Sequence, residues 1–389
     1  MTTEGSNRDF APRMRVVPSR QVITDRPFAP VSNETPAIHR AFFDDMRPLP
    51  ARFPTARLRE VTLVRAADLD ERVDPTGQTR VWYAIESLQV TGSFKVRGAL
   101  VSIEACIKRA GTASGLRVVA ASAGNHGASM AYAASVLGVR ATIFVPQGAP
   151  AAKCERIMSY GAELRYASSP YYDDAEAAAM EMAEAEGLSF ISPYNDLHVI
   201  AGNGGSLGYE IARVLGRVPE HVLLPFGGGG LATGVAWSLA DAAGETLGQV
   251  PRVWGVQSEV SPVMADSLER GAAIERFLPE GPTLAEGLEG GIAADAFARA
   301  RSSIGGVIVV SEAAIGRAMH YVYCDLGLLV EGSSATALVP LMRSSERFPL
   351  ALGVRGGDLV VLITGRNVDR ATWERAVAPY TAHTARSRD

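Results

Sequence analysis

The first place in this sequence where side-chain types suggest chemistry is a lysine among small residues. It lies in Thr91-Gly92-Ser93-Phe94-Lys95-Val96-Arg97-Gly98, shortly after the β-branched run Val81–Ile85. A lone lysine is ordinarily a solvated surface charge, but three other segments change that expectation. Ser122-Ala123-Gly124-Asn125-His126-Gly127 offers a hydroxyl and an amide. Gly227-Gly228-Gly229-Gly230 offers backbone N–H groups with no side chain in the way. Thr364-Gly365-Arg366-Asn367 offers another hydroxyl. The four segments differ in chemical type, and one small molecule can use all of them. An amine suits an aldehyde, an amide a ring hydroxyl, a glycine nest a phosphate, and a hydroxyl a ring nitrogen. The amine must be neutral to attack an aldehyde. Its ordinary pKa is ~10.4, so the lysine must be buried, which disfavours its charged form.

Two rival readings use the same glycines. Gly227, Gly229 and Ala232 satisfy G-x-G-x-x-A after the strand Val222–Pro225, which keeps an NAD-dependent oxidoreductase open. That fingerprint wants an acid about 20 residues on, at the end of the next strand. The next strand, Arg252–Val256, runs into Gln257-Ser258-Glu259, and Glu259 lies too late for a good fit. Gly204-Gly205-Ser206-Leu207-Gly208 matches the G-x-S-x-G elbow of hydrolases. His198–Ala201 makes a poor strand before it, and His221, His320 and His383 have no distinctive context. A glycine-rich helix start is the better reading there. Four glycines in a row are costly to order, and a merely structural turn rarely needs them.

The elements that must position these residues alternate. Val118–Ala121, Ala141–Val145, Glu163–Tyr166 and His221–Pro225 read as strands, each followed by an Ala-rich helical stretch. Arg252–Val256, Gly306–Val310 and Leu359–Ile363 read as further strands. This pattern predicts an α/β fold with parallel sheets covered by helices. At 389 residues the chain exceeds one compact core, so two lobes with a cleft between them are expected. The expected division is a mobile arm over 1–25, a large lobe over 26–116 and 195–375, a small lobe over 117–194, and a tail over 376–389.

Net charge is −4 and the sequence pI is about 6.0, which argues against nucleic-acid and membrane-surface partners. Cys106, Cys154 and Cys324 are scattered, so neither a disulfide framework nor a CxxC metal pair is expected. A reducing, cytoplasmic setting is the default. The N-terminus lacks an apolar core of signal-peptide length, and no apolar run approaches the ~20 residues that span a bilayer.

Taken together, the four segments resemble the fold-type II pyridoxal phosphate enzymes, in the threonine/serine dehydratase and serine racemase branch. The resemblance runs from about Val61 to Val368. Ser93–Ala99 matches S-F-K-x-R-G-A, Ala121–His126 matches the S-A-G-N-H loop, and Gly227–Leu231 matches G-G-G-G-L. It implies two α/β lobes, each a mainly parallel sheet flanked by helices, with pyridoxal 5'-phosphate in the interlobe cleft. Lys95 would carry the cofactor as a Schiff base and later move the α-proton. Phe94 would pack near the ring, and Asn125 would hydrogen-bond its phenolic oxygen. The backbone N–H groups of Gly227, Gly228, Gly229, Gly230 and Leu231 would hold the phosphate, and Thr364 would face the pyridine nitrogen. Ser122, Asn125 and His126 would bind the substrate carboxylate. The implied activity is α,β-elimination on a small β-hydroxy amino acid such as threonine or serine, giving a 2-oxo acid and ammonia, in a homodimer. Two alternatives stay open: β-replacement on serine or an activated serine, and a non-catalytic ligand-binding homologue.

The sequence departs from the branch in several places. Ala123 stands where serine racemase has an acid/base serine, which favours elimination over racemisation. Gln257 replaces the first acid of the racemase cation site, so no metal site is expected there, and Glu259 reads as a solvated acid. Glu286 lies in Ala285-Glu286-Gly287, where dehydratases usually carry Ala-Asp-Gly. It is therefore an expected substrate-side residue, and one extra methylene shifts discrimination by ~1–3 kcal/mol. Arg366 stands where small residues are commoner. Glu331 precedes an expected helix, Ala335–Met342, and either faces the cofactor or, with Ser333, starts that helix. The chain ends soon after Thr364, so feedback inhibition through a regulatory C-terminal domain is not expected.

Overall fold

β-Branched runs build two separate sheets in the computed structural model, which describes residues 14–19, 48–243, 251–279, 281–342 and 356–384. The strands are β1 (Arg15–Pro18), β2 (Thr62–Arg65), β3 (Thr79–Ile85), β4 (Arg117–Ala121), β5 (Arg140–Val145), β6 (Glu163–Tyr166), β7 (Ser189–Phe190), β8 (His221–Pro225), β9 (Arg252–Ser258), β10 (Gly306–Val310) and β11 (Gly357–Ile363). Seven of them form one sheet in the order β1-β10-β9-β8-β11-β3-β2, and the other four form a second in the order β6-β5-β4-β7. The second sheet is parallel throughout. In the first, only the edge strands β1 and β2 run antiparallel to their neighbours.

The central strands are continuous apolar runs because helices cover both their faces. One face of the large sheet packs Tyr83, Leu223, Val256, Ile308 and Leu359. The other packs Ala84, Val222, Leu224, Val253 and Val360. Alternate residues of one strand thus enter opposite cores. Parallel pairing of β3, β11 and β8 also sends their carboxyl ends to one edge of the sheet. Those three ends lead into the Lys95 segment, the Thr364 segment and the tetraglycine. A ligand site at that edge follows from the topology.

The expected boundaries differ from the structure in three places. The helix Lys95–Ala110 packs Val96, Leu100 and Ile103 with Val118, Met130 and Ile143, in the core of the small sheet. Leu49, Phe53 and Ala56 join the same core. That core therefore recruits residues well before 117, because the helix turns its apolar face toward the smaller sheet. Within the expected arm, residues 15–18 form β1 and pair with β10, while most of 1–25 lies outside the described residues. Within the expected tail, Arg370–Thr384 is a helix whose Trp373 and Val377 are buried against the large sheet. The expected helix Ala335–Met342 is instead the last residue of a short α-helical turn, Gly332–Ala335, and a 3₁₀ stretch, Thr336–Met342, that contains Pro340, a residue with no N–H to continue an α-helix. Among the described residues, no helix is long and apolar enough to cross a membrane.

Candidate active site

Lys95 opens its helix at the carboxyl end of β3, and the β11 segment holds that opening in place. The Phe94 N–H donates to the Thr364 carbonyl at 3.1 Å, and Ser93 bridges to Gly365. The Thr364 N–H in turn donates to Ser334 Oγ at 2.8 Å. Lys95 Nζ donates to the Pro193 carbonyl at 2.9 Å and lies 5.2 Å from the centre of the Phe94 ring. Its acceptor is a neutral carbonyl. Burial without charge compensation lowers its pKa to about 8.

The next residue along from Pro193 reaches the tetraglycine. A Cβ on Gly228 would overlap the Tyr194 ring, and one on Gly230 would stand 2.6 Å from the Tyr194 carbonyl. Glycine is required at both positions because the loop lies directly on Tyr194. Gly230 begins a helix that runs to Ala243, so the loop's free N–H groups sit at a helix N-terminus, where anions bind well. Pro193 and Tyr194 thus bring the Lys95 amine and the glycine loop into one neighbourhood.

The segment Leu197–Leu215 separates the two helices behind this site. It is helical throughout but contains a π-turn, Ala201–Gly205. Asn203 in that turn accepts the Gly98 N–H through Oδ1 at 2.9 Å. Ser206 is buried, and its Oγ donates to the Gly202 carbonyl. The hydrolase elbow fails here, since a helix precedes this serine and its hydroxyl is engaged inside the protein.

Two residues beyond Lys95, Arg97 is fully buried. Its Nε and Nη2 donate to Glu86 at 2.7 and 2.8 Å, and its Nη1 and Nη2 donate to Glu210 at 2.9 and 2.8 Å. Nη1 also donates to Ser206 Oγ at 3.2 Å. Glu86 follows β3 and Glu210 lies after the π-turn, so one guanidinium ties the lysine helix to both.

Across the site, Asn125 Nδ2 donates to both oxygens of Glu331 at 3.0 Å. Asn367 Nδ2 donates to Asn125 Oδ1 at 2.5 Å, and the Asn367 N–H donates to Glu331 Oε1 at 2.6 Å. Burial raises the Glu331 pKa, while donation from Asn125, the Asn367 N–H and Ser333 opposes that rise. Ser122 Oγ accepts the Gly124 N–H at 3.0 Å in the turn before the helix Asn125–Leu137. The His126 ring is buried and hydrogen-bonded through Nε2 to the Ile191 carbonyl at 3.1 Å. Burial, and then the Lys95 charge, lower its pKa to about 3. Its imidazole is therefore neutral and engaged, and its backbone N–H is what remains for a carboxylate.

Glu286 lies apart from this buried network. It is 63% exposed and pairs with Lys153 at 2.9 Å. Gln257 Oε1 accepts the N–H groups of Met264 and Ala265, both at 3.1 Å, and so caps a helix. Glu259 is exposed and accepts the Glu312 N–H.

Residues 58–365 match the family model for the pyridoxal-phosphate dependent enzymes, most of the chain. The chain belongs to that family. It is 36% identical over 291 residues to an L-threonine ammonia-lyase of Thermotoga maritima, covering 74% of this chain and 67% of that protein. Its fold is similar to the processed form of threonine deaminase isoform 2 from Solanum lycopersicum, with a TM-score of 0.76, 26% identity, and coverage of 94% of this chain and 99% of the other. It is also similar to maize serine racemase, with a TM-score of 0.73, 27% identity, and coverage of 90% and 98%.

As a member of this family the chain uses pyridoxal phosphate, and the local chemistry fits that group. A desolvated amine, a glycine loop in which a Cβ at Gly228 or Gly230 would strike Tyr194, and the buried Thr364 meet at one edge of the sheet. Sequence reasoning missed Pro193, Tyr194, Asn203 and Ser334, and it gave Arg97 and Asn367 no role. Pro193 acts through a backbone carbonyl, which leaves no mark in a sequence. Glu210 did leave one, as an acid beside Leu207 and Ile211 on the apolar side of its helix.

Proposed function

We propose that this chain is a pyridoxal phosphate-dependent ammonia-lyase that removes water from a small β-hydroxy amino acid such as threonine or serine. The 2-oxo acid and ammonia follow from hydrolysis of the enamine product. The observation that carries this reading is Lys95, whose amine meets a neutral carbonyl beside the glycine loop and stays uncharged far more readily than an exposed lysine. The names of the relatives support the substrate class: an L-threonine ammonia-lyase and a threonine deaminase.

The cofactor, when bound, supplies an electron sink for the bond that breaks at the substrate Cα. Lys95 attaches it and, once freed by the substrate amine, is the base that takes the Cα proton. A base with a pKa near the working pH suits that task. The backbone N–H groups of residues 227–231 hold the phosphate. Thr364 offers the ring nitrogen a neutral hydroxyl, which does not fix a full positive charge there. Asn125 turns an amide N–H toward the phenolic oxygen. The free N–H groups at the start of the Asn125–Leu137 helix, with Ser122 before them, hold the substrate carboxylate. Ala123 carries no proton donor for the opposite face, so a proton removed by Lys95 is not replaced there, and elimination is favoured over racemisation. The Ala285-Glu286-Gly287 segment runs beside Gly227 and Ser333 and would form the substrate-side wall, with Glu286 paired to Lys153 at its exposed rim. The protein works as a cytoplasmic homodimer, and its three free cysteines agree with a reducing compartment.

The test is a panel of serine, threonine and their phosphorylated and acetylated derivatives, scored for ammonia and 2-oxo acid. Equal amounts of both products from serine or threonine are expected. Product formed only when an external nucleophile is added would replace this reading with β-replacement. No reaction from any member would overturn it.

A further inference from the structure

We infer that Arg156 is a positioning residue that sets, through Asn367, which way the Asn125 amide faces. The inference rests on the reading of Asn125 as a ligand of the cofactor's phenolic oxygen. Arg156 comes from the helix Ala151–Ser159, beside the small sheet. Its Nη1 donates to Asn367 Oδ1, and its Nη2 donates to the Thr91 carbonyl at 2.8 Å. Asn367 Nδ2 donates to Asn125 Oδ1 and to the same Thr91 carbonyl at 2.9 Å. Asn125 Nδ2 then donates to Glu331.

This chain has a fixed direction. A guanidinium can only donate, and the Glu331 carboxyl accepts from Asn125, the Asn367 N–H and Ser333. With Arg156 at one end and Glu331 at the other, each amide between them has one permitted orientation. Asn367 must present Oδ1 to the arginine and Nδ2 to Asn125. Asn125 must present Oδ1 to Asn367, which leaves Nδ2 as the donor on its other side, where it meets Glu331. A free asparagine has no such preference. Two glycines leave room for the chain: a Cβ on Gly92 would overlap Asn367 Oδ1, and one on Gly365 would come 2.6 Å from Glu331 Oε1. The other charged or titratable groups around the relay are Lys95, Lys153, Glu286 and His126.

Removing Arg156 releases the donor end and weakens donation by Asn125. The phenolic oxygen then holds a proton more tightly, and a nearby cation is lost. Both effects raise the pH at which the lysine-linked cofactor titrates. The experiment is a pH titration of the visible absorption band of the holoenzyme, with a melting curve on each variant. For Arg156→Leu the midpoint is expected to rise. Its kcat is expected to fall about tenfold, the scale of one charge-assisted hydrogen bond, with KM changed less. Arg156→Lys keeps the charge but loses the two-pronged grip, so it should fall between wild type and Arg156→Leu. Asn367→Ala breaks the relay but keeps the arginine's charge, so it should shift the midpoint in the same direction by less, and the double variant should shift it by less than the sum of the two single shifts. Unchanged midpoints in a folded Arg156→Leu protein would overturn the inference, as would additive shifts in the double variant. A wild-type protein with no visible band would instead overturn the underlying reading of the site.

Discussion

Two cations, Lys95 and Arg97, stand two residues apart at the start of one helix, and their surroundings treat them in opposite ways. Arg97 is buried with two carboxylates and a hydroxyl around all five of its N–H donors. Burial alone would lower its pKa, but Glu86 and Glu210 hold it above the ordinary value. Lys95 has a carbonyl for a partner, and burial lowers its pKa to about 8. The other two lysines of the sequence differ again: Lys108 and Lys153 are exposed and each pairs with a glutamate. A compensated buried cation is scaffold, and an uncompensated one is available for chemistry.

The largest effect that sharpens this contrast is on turnover. Lys95→Ala should lower kcat by about a thousandfold or more and abolish the visible band, with only a small change in melting temperature, since it removes the nucleophile and the base together. Arg97→Leu should do the reverse. It leaves Glu86 and Glu210 buried without a counter-charge, which costs about 3–5 kcal/mol in a denaturant unfolding curve. A stable Arg97→Leu protein without the visible band would break the contrast, because Arg97 would then belong to the chemistry.

The pH dependence follows from the same pair. Attachment of the cofactor requires neutral Lys95, whose protonated fraction falls as pH rises through about 8. The rate at which apoprotein takes up the cofactor should therefore rise with pH to a plateau, with its midpoint near 8. A midpoint near that of an exposed lysine, ~10.4, would mean the amine is solvated. Gly228→Ala should weaken cofactor binding about tenfold by pressing a methyl group into Tyr194, an overpacking cost of ~1–3 kcal/mol. A spectrophotometric titration of apoprotein measures it. The smallest effect should come from Glu286→Gln. An exposed ion pair contributes about 0–1 kcal/mol, so stability should hold while the ratio of kcat/KM for serine and threonine moves.

Much of the scaffold was legible in the sequence. The central strands are uninterrupted apolar runs and glycines mark their ends, so β8 and the loop after it could be placed from residues 221–230 alone. The lysine helix was harder to assign, because its membership of the small-sheet core depends on which face its Val96, Leu100 and Ile103 turn toward. Contacts distant in sequence stayed hidden. Glu210 lies 113 residues from Arg97 and Asn367 lies 242 from Asn125, and no local pattern joins them. The helix over residues 370–384 contains Pro379, a residue that ordinarily interrupts a helix, so the local pattern does not announce it. Glu331 was visible as a candidate, but whether it caps a helix or faces the site depends on Asn125 meeting its carboxylate.

Borohydride reduction of the holoenzyme, followed by peptide mass mapping, tests the central claim most directly. With only three lysines in the chain, the result is a choice among Lys95, Lys108 and Lys153. The account predicts the reduced cofactor on the peptide that contains Lys95 and on neither of the others. A label on Lys108 or Lys153, with Lys95 unmodified, would contradict it.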